Sequence, residues 1–304
     1  MNAIDRAFIR AYEAEEPAAA AAAFPREDAS GVIGGGVRVA APHFRNSVGN
    51  APATAPVSHR ETTGERRPLS AFAPPAQTVE ARFKPALEVD GFRWSATCRD
   101  LIERHYDRLR PALDALLAAD DAGRSLIGVG APAADVGCTT VLACLARLLA
   151  DAGKSVAIVD GNFSAPGLAM QLGLAVESGW EDVLSGAVPL AEGVVYSLGD
   201  RVALLPLVRG GVAAAETLDA IHASVTAGVL RYHYDMVLFD LGNVFDPVQG
   251  PIARRVARQC RLDGIVLTFG LAAASAIHPQ RLVQTAPELA AICLGVVENQ
   301  LRAA

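Results

Sequence analysis

From position 125 onward, uninterrupted apolar runs of strand length alternate with helical segments: "LIGVGA", "VAIVD", "VALLPL", "MVLFD", "GIVLTF" and "CLGVVEN". A strand apolar at every position must be covered on both faces. That requirement points to a parallel sheet whose crossovers are helices, rather than to a sandwich with one wet face. The first crossover is readable in detail, because a helix is expected over 139–152, stopped by Gly153 before "VAIVD". The predicted fold class is therefore α/β, a mostly parallel sheet sandwiched by helices, over 123–304.

Upstream the text changes character. Ile4, Phe8, Ile9 and Tyr12 sit at helical spacing, which predicts a short amphipathic helix over 1–14, a candidate docking peptide. Residues 15–85 carry an alanine run, repeated Pro and Ser/Thr/Arg-rich stretches without either regular period. This is the composition of a disordered linker, too poor in patterned apolar surface to offset ordering entropy. A helical lead-in is expected over 86–122, with Leu101, Ile102, Tyr106, Leu109, Leu113, Leu116 and Leu117 on one face and a break at Pro111.

A net charge of -6 without a Lys/Arg block argues against nucleic acid as a partner. No apolar run reaches the ~18 residues of a membrane span, and no signal-peptide core is visible, so a cytoplasmic protein is expected. The five cysteines, Cys98, Cys138, Cys144, Cys260 and Cys293, are scattered and contain no C-x-x-C pair. Neither zinc nor a disulfide framework is indicated, and Cys144, Cys260 and Cys293 read as small buried apolar residues.

In a sheet of this kind ligands bind beyond the carboxyl ends of the strands. Four polar features end there: the loop 131–138 after "LIGVGA", Asp160, Asp240 and Asn299. Any one of them could be an ordinary turn residue. Their fall on a single edge marks that edge as the candidate site.

The stretch "VGCTTVLACLARLLADAGKSVAIVDGNFSAPGLAMQLGL" resembles the deviant Walker A loop, helix and Walker A′ strand of the MinD/ParA-type P-loop ATPases. The branch it most resembles is the bacterial tyrosine kinases of capsular and exopolysaccharide biosynthesis. Supporting stretches are "GWEDVLSGAVPLAEGV", "DRVALLPLVRGG", "YDMVLFDLG", "DGIVLTFG" and "LGVVENQ", so the resemblance covers 125–300. It implies that Gly137, Cys138, Thr139, Thr140 and Asn299 line a nucleotide site, with Asn299 at the adenine. It also implies that Thr139, Asp160 and Asp240 hold Mg2+, and that Asp160 is the catalytic carboxylate.

Several demands of the motif are unmet. Cys138 stands where the family has the lysine that reaches the phosphates, and the MinD-branch lysine would fall at Ala133. Asn162 and Ser164 replace the second acid and the arginine of Asp-x-Asp-x-Arg. Asp135 adds a like charge, which ~4 Å from a phosphate costs about 4 kcal/mol at an effective dielectric of 20. Lys154 lies a helix length away, ~20 Å, and neither Arg124 nor Arg147 is well placed. A Cys138 thiol at a helix N-terminus would have a lowered pKa, which is the basis of a redox alternative.

Phosphoryl transfer depends almost wholly on positioning and charge, and one missing cation costs ~10³ to 10⁵ in rate. The expected function is that of a degenerate, kinase-like pseudo-enzyme. It would bind ATP or ADP and Mg2+ weakly or not at all, and act by binding a membrane-embedded polysaccharide chain-length or export protein, which could recruit it to the inner membrane. Two alternatives stand beside it. One is an active tyrosine autokinase borrowing cations within a homo-oligomer, although the chain ends "NQLRAA" without a tyrosine tail. The other is a MinD/ParA-type positioning switch, which would need a membrane-targeting helix or a basic DNA-binding face.

Overall fold

The computed structural model describes residues 9–10, 83–219, 221–270 and 284–299. The linker 15–85 lies outside them except for its last three residues, as does most of the helix expected over 1–14. Of that helix only Ile9–Arg10 (β1) is described, and these two residues are extended, paired antiparallel with 298–299 of the last strand. An edge strand presents unpaired backbone groups, and an extended segment satisfies them where a helix would not.

Among the described residues, nine strands form one sheet. After β1 come β2 (Leu87–Val89), β3 (Leu126–Ala131), β4 (Val156–Asp160), β5 (Val195–Ser197), β6 (Val202–Leu205), β7 (Met236–Asn243), β8 (Gly264–Gly270) and β9 (Cys293–Asn299). The spatial order is β1-β9-β8-β3-β7-β4-β6-β5-β2. The six strands from β9 to β6 are mutually parallel, as the continuous apolar runs require. The antiparallel β5 and the strand β2 beside it were not legible in the sequence, since three residues are too few to display a period.

Successive strand residues feed opposite faces. Ile127, Val129, Val156, Ile158, Met236 and Leu238 pack under α1 (Ala96–Asp121) and α2 (Cys138–Asp151). Leu126, Ala157, Val159, Val237 and Phe239 join the core on the other face. The longer helices contributing to that face are α7 (Ile221–His233) and α8 (Gln249–Gln259), with the short α4 (Trp180–Ser185) and α9 (Pro287–Ala291). Three further short helices, α3 (Leu168–Gln171), α5 (Leu190–Gly193) and α6 (Gly211–Glu216), fill connections. Gly128 is required by this packing, because a Cβ there would sit 2.6 Å from the Leu241 side chain.

Helix α1 starts where Ser95 accepts a hydrogen bond from Cys98 N, and it runs through Pro111 without ending. The backbone departs from helical values at His105 instead of Pro111. Proline withholds its donor from the carbonyl of Asp107, and the irregularity is absorbed in the turn before that carbonyl. The lead-in is tied down by Asp200, which accepts from Phe92 N at 2.7 Å, Trp94 Nε1 at 2.9 Å and Ser197 Oγ at 2.6 Å and pairs with Arg147.

Candidate functional site

The parallel register brings the candidate residues to one edge. Asp160 and Asp240 are paired positions at the carboxyl ends of neighbouring strands β4 and β7, and the loop after β3 enters the same edge. Gly137 takes a left-handed φ of +83° as it hands the chain to α2, a conformation that suits glycine. The first intrahelical bond is Val141 N to Gly137 O, so the N–H groups of Cys138, Thr139 and Thr140 fall in the unpaired first turn. No acidic side chain occupies that turn and no side chain caps it. Its positive end is left for an anion.

Thr139 Oγ1 donates to Asp240 Oδ2 at 2.7 Å, and Gly242 N donates to Asp240 Oδ1 at 3.0 Å. Asp160 is held by three backbone donors, Asn162 N, Gly167 N and Leu168 N, each at 3.2 Å. Both carboxylates are 1% exposed. Burial and the neighbouring Asp240 charge push the Asp160 carboxyl up to about 7, against the three backbone donors. Burial likewise raises Asp240, partly offset by Thr139 and Gly242. Two buried carboxylates under a threonine hydroxyl fit a divalent cation, which would relieve their repulsion.

The phosphate side fits less well. Cys138 is buried, with Sγ 3.5 Å from Val129 O and 3.8 Å from Asp240 Oδ1. Burial first, and the Asp240 charge second, push its thiol well above the ordinary cysteine range. This corrects the reactive-thiol alternative, since a helix N-terminus lowers a cysteine pKa only where the thiolate is not also desolvated beside a carboxylate. Asp135 is exposed, in the left-handed region at φ +58°, so its charge is screened and weighs little against an anion. Lys154 is bound to Asp120 at 2.6 Å at the far end of the sheet, and Arg147 is engaged by Asp151 and Asp200.

Asn299, 1% exposed at the end of β9, is brought to the loop, but its Nδ2 donates to Val136 O at 2.7 Å. Its Oδ1 is buried with no partner among the described residues. One half of the amide is thus committed to the loop, and the other half fits an amino group such as that of adenine.

Sequence reasoning missed Gln249, at the start of α8 and 1% exposed. Its Nε2 donates to Gly161 O and Leu241 O, both at 2.9 Å, and its Oε1 accepts from Ser164 N and Ser164 Oγ, both at 3.1 Å. The side chain at the position where the resemblance puts an arginine is therefore occupied in bracing the turn after β4. The only available signal was a lone amide ahead of an amphipathic helix.

Comparisons support the fold reading. The structure is similar to that of the chimerical protein CapA2B2, with a TM-score of 0.57 and 20% identity over 71% of this chain and 96% of that one. It is also similar to the BceF tyrosine kinase domain, with a TM-score of 0.55 and 18% identity over 71% and 94%. The kinase domain of the Escherichia coli tyrosine kinase ETK gives a TM-score of 0.55 and 21% identity over 67% and 81%. At these identities the likeness is one of fold, and it agrees with the expected MinD/ParA-type and kinase-like α/β architecture. No curated protein matches the sequence. The family model for "Cellulose biosynthesis protein BcsQ" matches residues 126–291, more than half of the chain, and the chain belongs to that family.

Proposed function

We propose that this protein is a catalytically degenerate P-loop protein that serves cellulose or related exopolysaccharide production by binding a membrane-embedded synthesis or export partner. The observation that carries the reading is the seating of Cys138. The side chain at the phosphate-lysine position lies buried against Asp240, and the second cation position, Ser164, is bound to Gln249. With two buried carboxylates and neither cation, the edge would repel the γ-phosphate it would have to transfer. Adenine nucleotide with Mg2+ is held weakly at most, through the first turn of α2, the Thr139–Asp240–Asp160 group and Asn299 Oδ1. The family name supports the pathway. No helix among the described residues is long and apolar enough to cross a membrane.

The test is incubation of the purified chain with radiolabelled ATP and Mg2+. No transfer to protein is expected. Tyrosine-linked label that disappears in Asp160→Ala would establish the autokinase alternative instead.

A further inference from the structure

Along α8, from Pro251 in its first turn to Arg261 and Leu262 beyond its end, the helix and α9 flank an open groove of about 720 Å³. None of its lining residues belongs to the loop after β3 or is Asp160, Asp240 or Asn299, so this groove does not include the carboxyl-edge site. Arg254, Arg255, Arg258 and Arg261 all line it, with Glu288 the one carboxylate among its lining residues. The floor is apolar, made by Ala257, Leu262 and Ile292. In a chain of net charge -6, this is a local concentration of positive charge.

Helix-end chemistry explains only part of the cluster. A cation in the last turn complements the helix dipole, which accounts for Arg258. Arg254 stands one turn earlier, at the i,i+4 spacing where like charges repel. It is answered by Glu288 at 3.2 Å. Arg261 takes a left-handed φ of +52°, where glycine would be free of strain. Arg231 braces that turn, donating to Arg261 O at 3.4 Å and to Asp263 at 3.0 Å. A strained, exposed arginine aimed at a cavity with three others is the kind of outlier from which a binding role is inferred.

We propose that this groove binds a small organic molecule carrying two or more phosphate groups. Guanidinium forks match phosphate oxygens two at a time, and the apolar floor would take the organic body. The volume falls within the ~300 to 1,000 Å³ of small-molecule sites. A peptide fits less well, since α9 has five residues and walls the groove for only ~8 Å. The site is independent of whether the loop after β3 holds a nucleotide.

Calorimetric titration of the full chain with inorganic pyrophosphate tests this. Binding is expected in the wild type and in Thr139→Ala. It should weaken at least tenfold in the Arg258→Ala/Arg261→Ala double variant, and only in part in the matching lysine pair, which keeps charge but loses the forks. Arg261→Gly should raise the melting temperature by removing the left-handed strain while weakening pyrophosphate binding, a combination that a purely structural arginine would not give. Three results would overturn the proposal. They are no binding to the wild type, binding lost in Thr139→Ala but intact in the double alanine variant, and sedimentation with phosphatidylglycerol vesicles in place of soluble pyrophosphate binding.

Discussion

Asp160 and Asp240 occupy paired positions on adjacent parallel strands, both buried, each held by its own set of donors. Burial and this proximity raise the Asp160 carboxyl to about 7, against ~3.9 in an unfolded chain. A group raised on folding stabilises fully below its unfolded value and loses that contribution as pH climbs through its folded value. In chelator-containing buffer, wild-type stability should therefore decline between about pH 4 and about pH 7 by a component that Asp160→Asn removes. Urea denaturation across this range measures it, and parallel profiles for the two proteins would count against the buried pair.

Asp200 acts in the opposite sense. Burial raises its carboxyl, but Ser197 Oγ, Phe92 N, Trp94 Nε1 and Arg147 outweigh that and hold it below the ordinary range. Its contribution is present above the unfolded value and is lost as pH falls through the folded one. Asp200→Ala should release the segment carrying β2, read as faster amide exchange at Phe92 and Trp94, with α2 unaffected.

Gln249→Ala should destabilise the fold by about 2 to 4 kcal/mol, because it strands the buried carbonyls of Gly161 and Leu241 and releases the exposed Ser164 from the turn after β4. Chemical denaturation gives the value. A loss under ~0.5 kcal/mol would mean the turn after β4 is braced elsewhere.

Two glycines with positive φ separate backbone strain from steric contact. At Gly153, φ +90°, an added Cβ meets nothing within 4 Å, and Gly153→Ala should cost about 1 kcal/mol. At Gly242, φ +59°, the Cβ would lie 2.6 Å from Asn162, whose chain forms the same edge. Gly242→Ala should cost clearly more than Gly153→Ala in the same denaturation series.

The central sheet was legible because β3, β4, β6, β7 and β8 are buried on both faces, and β9 in part, and so read as unbroken apolar runs. The sites at their ends followed from topology, since parallel strands deliver Asp160, Asp240 and Asn299 to one edge. What stayed hidden lacks a local signature. β2 and β5 are three residues long and exist through pairing. Gln249 acts on Ser164 across 85 positions of sequence. Whether the Cys138 thiol is activated or suppressed depends on how deeply it is buried beside Asp240, which one-dimensional spacing does not encode.

The charge deficit is tested most directly by calorimetric titration of ATP with Mg2+ into the wild type and Cys138→Lys. Weak or undetectable binding by the wild type and at least tenfold tighter binding by the lysine variant are predicted. Equal affinity in the two proteins, with the wild type binding tightly, would contradict it.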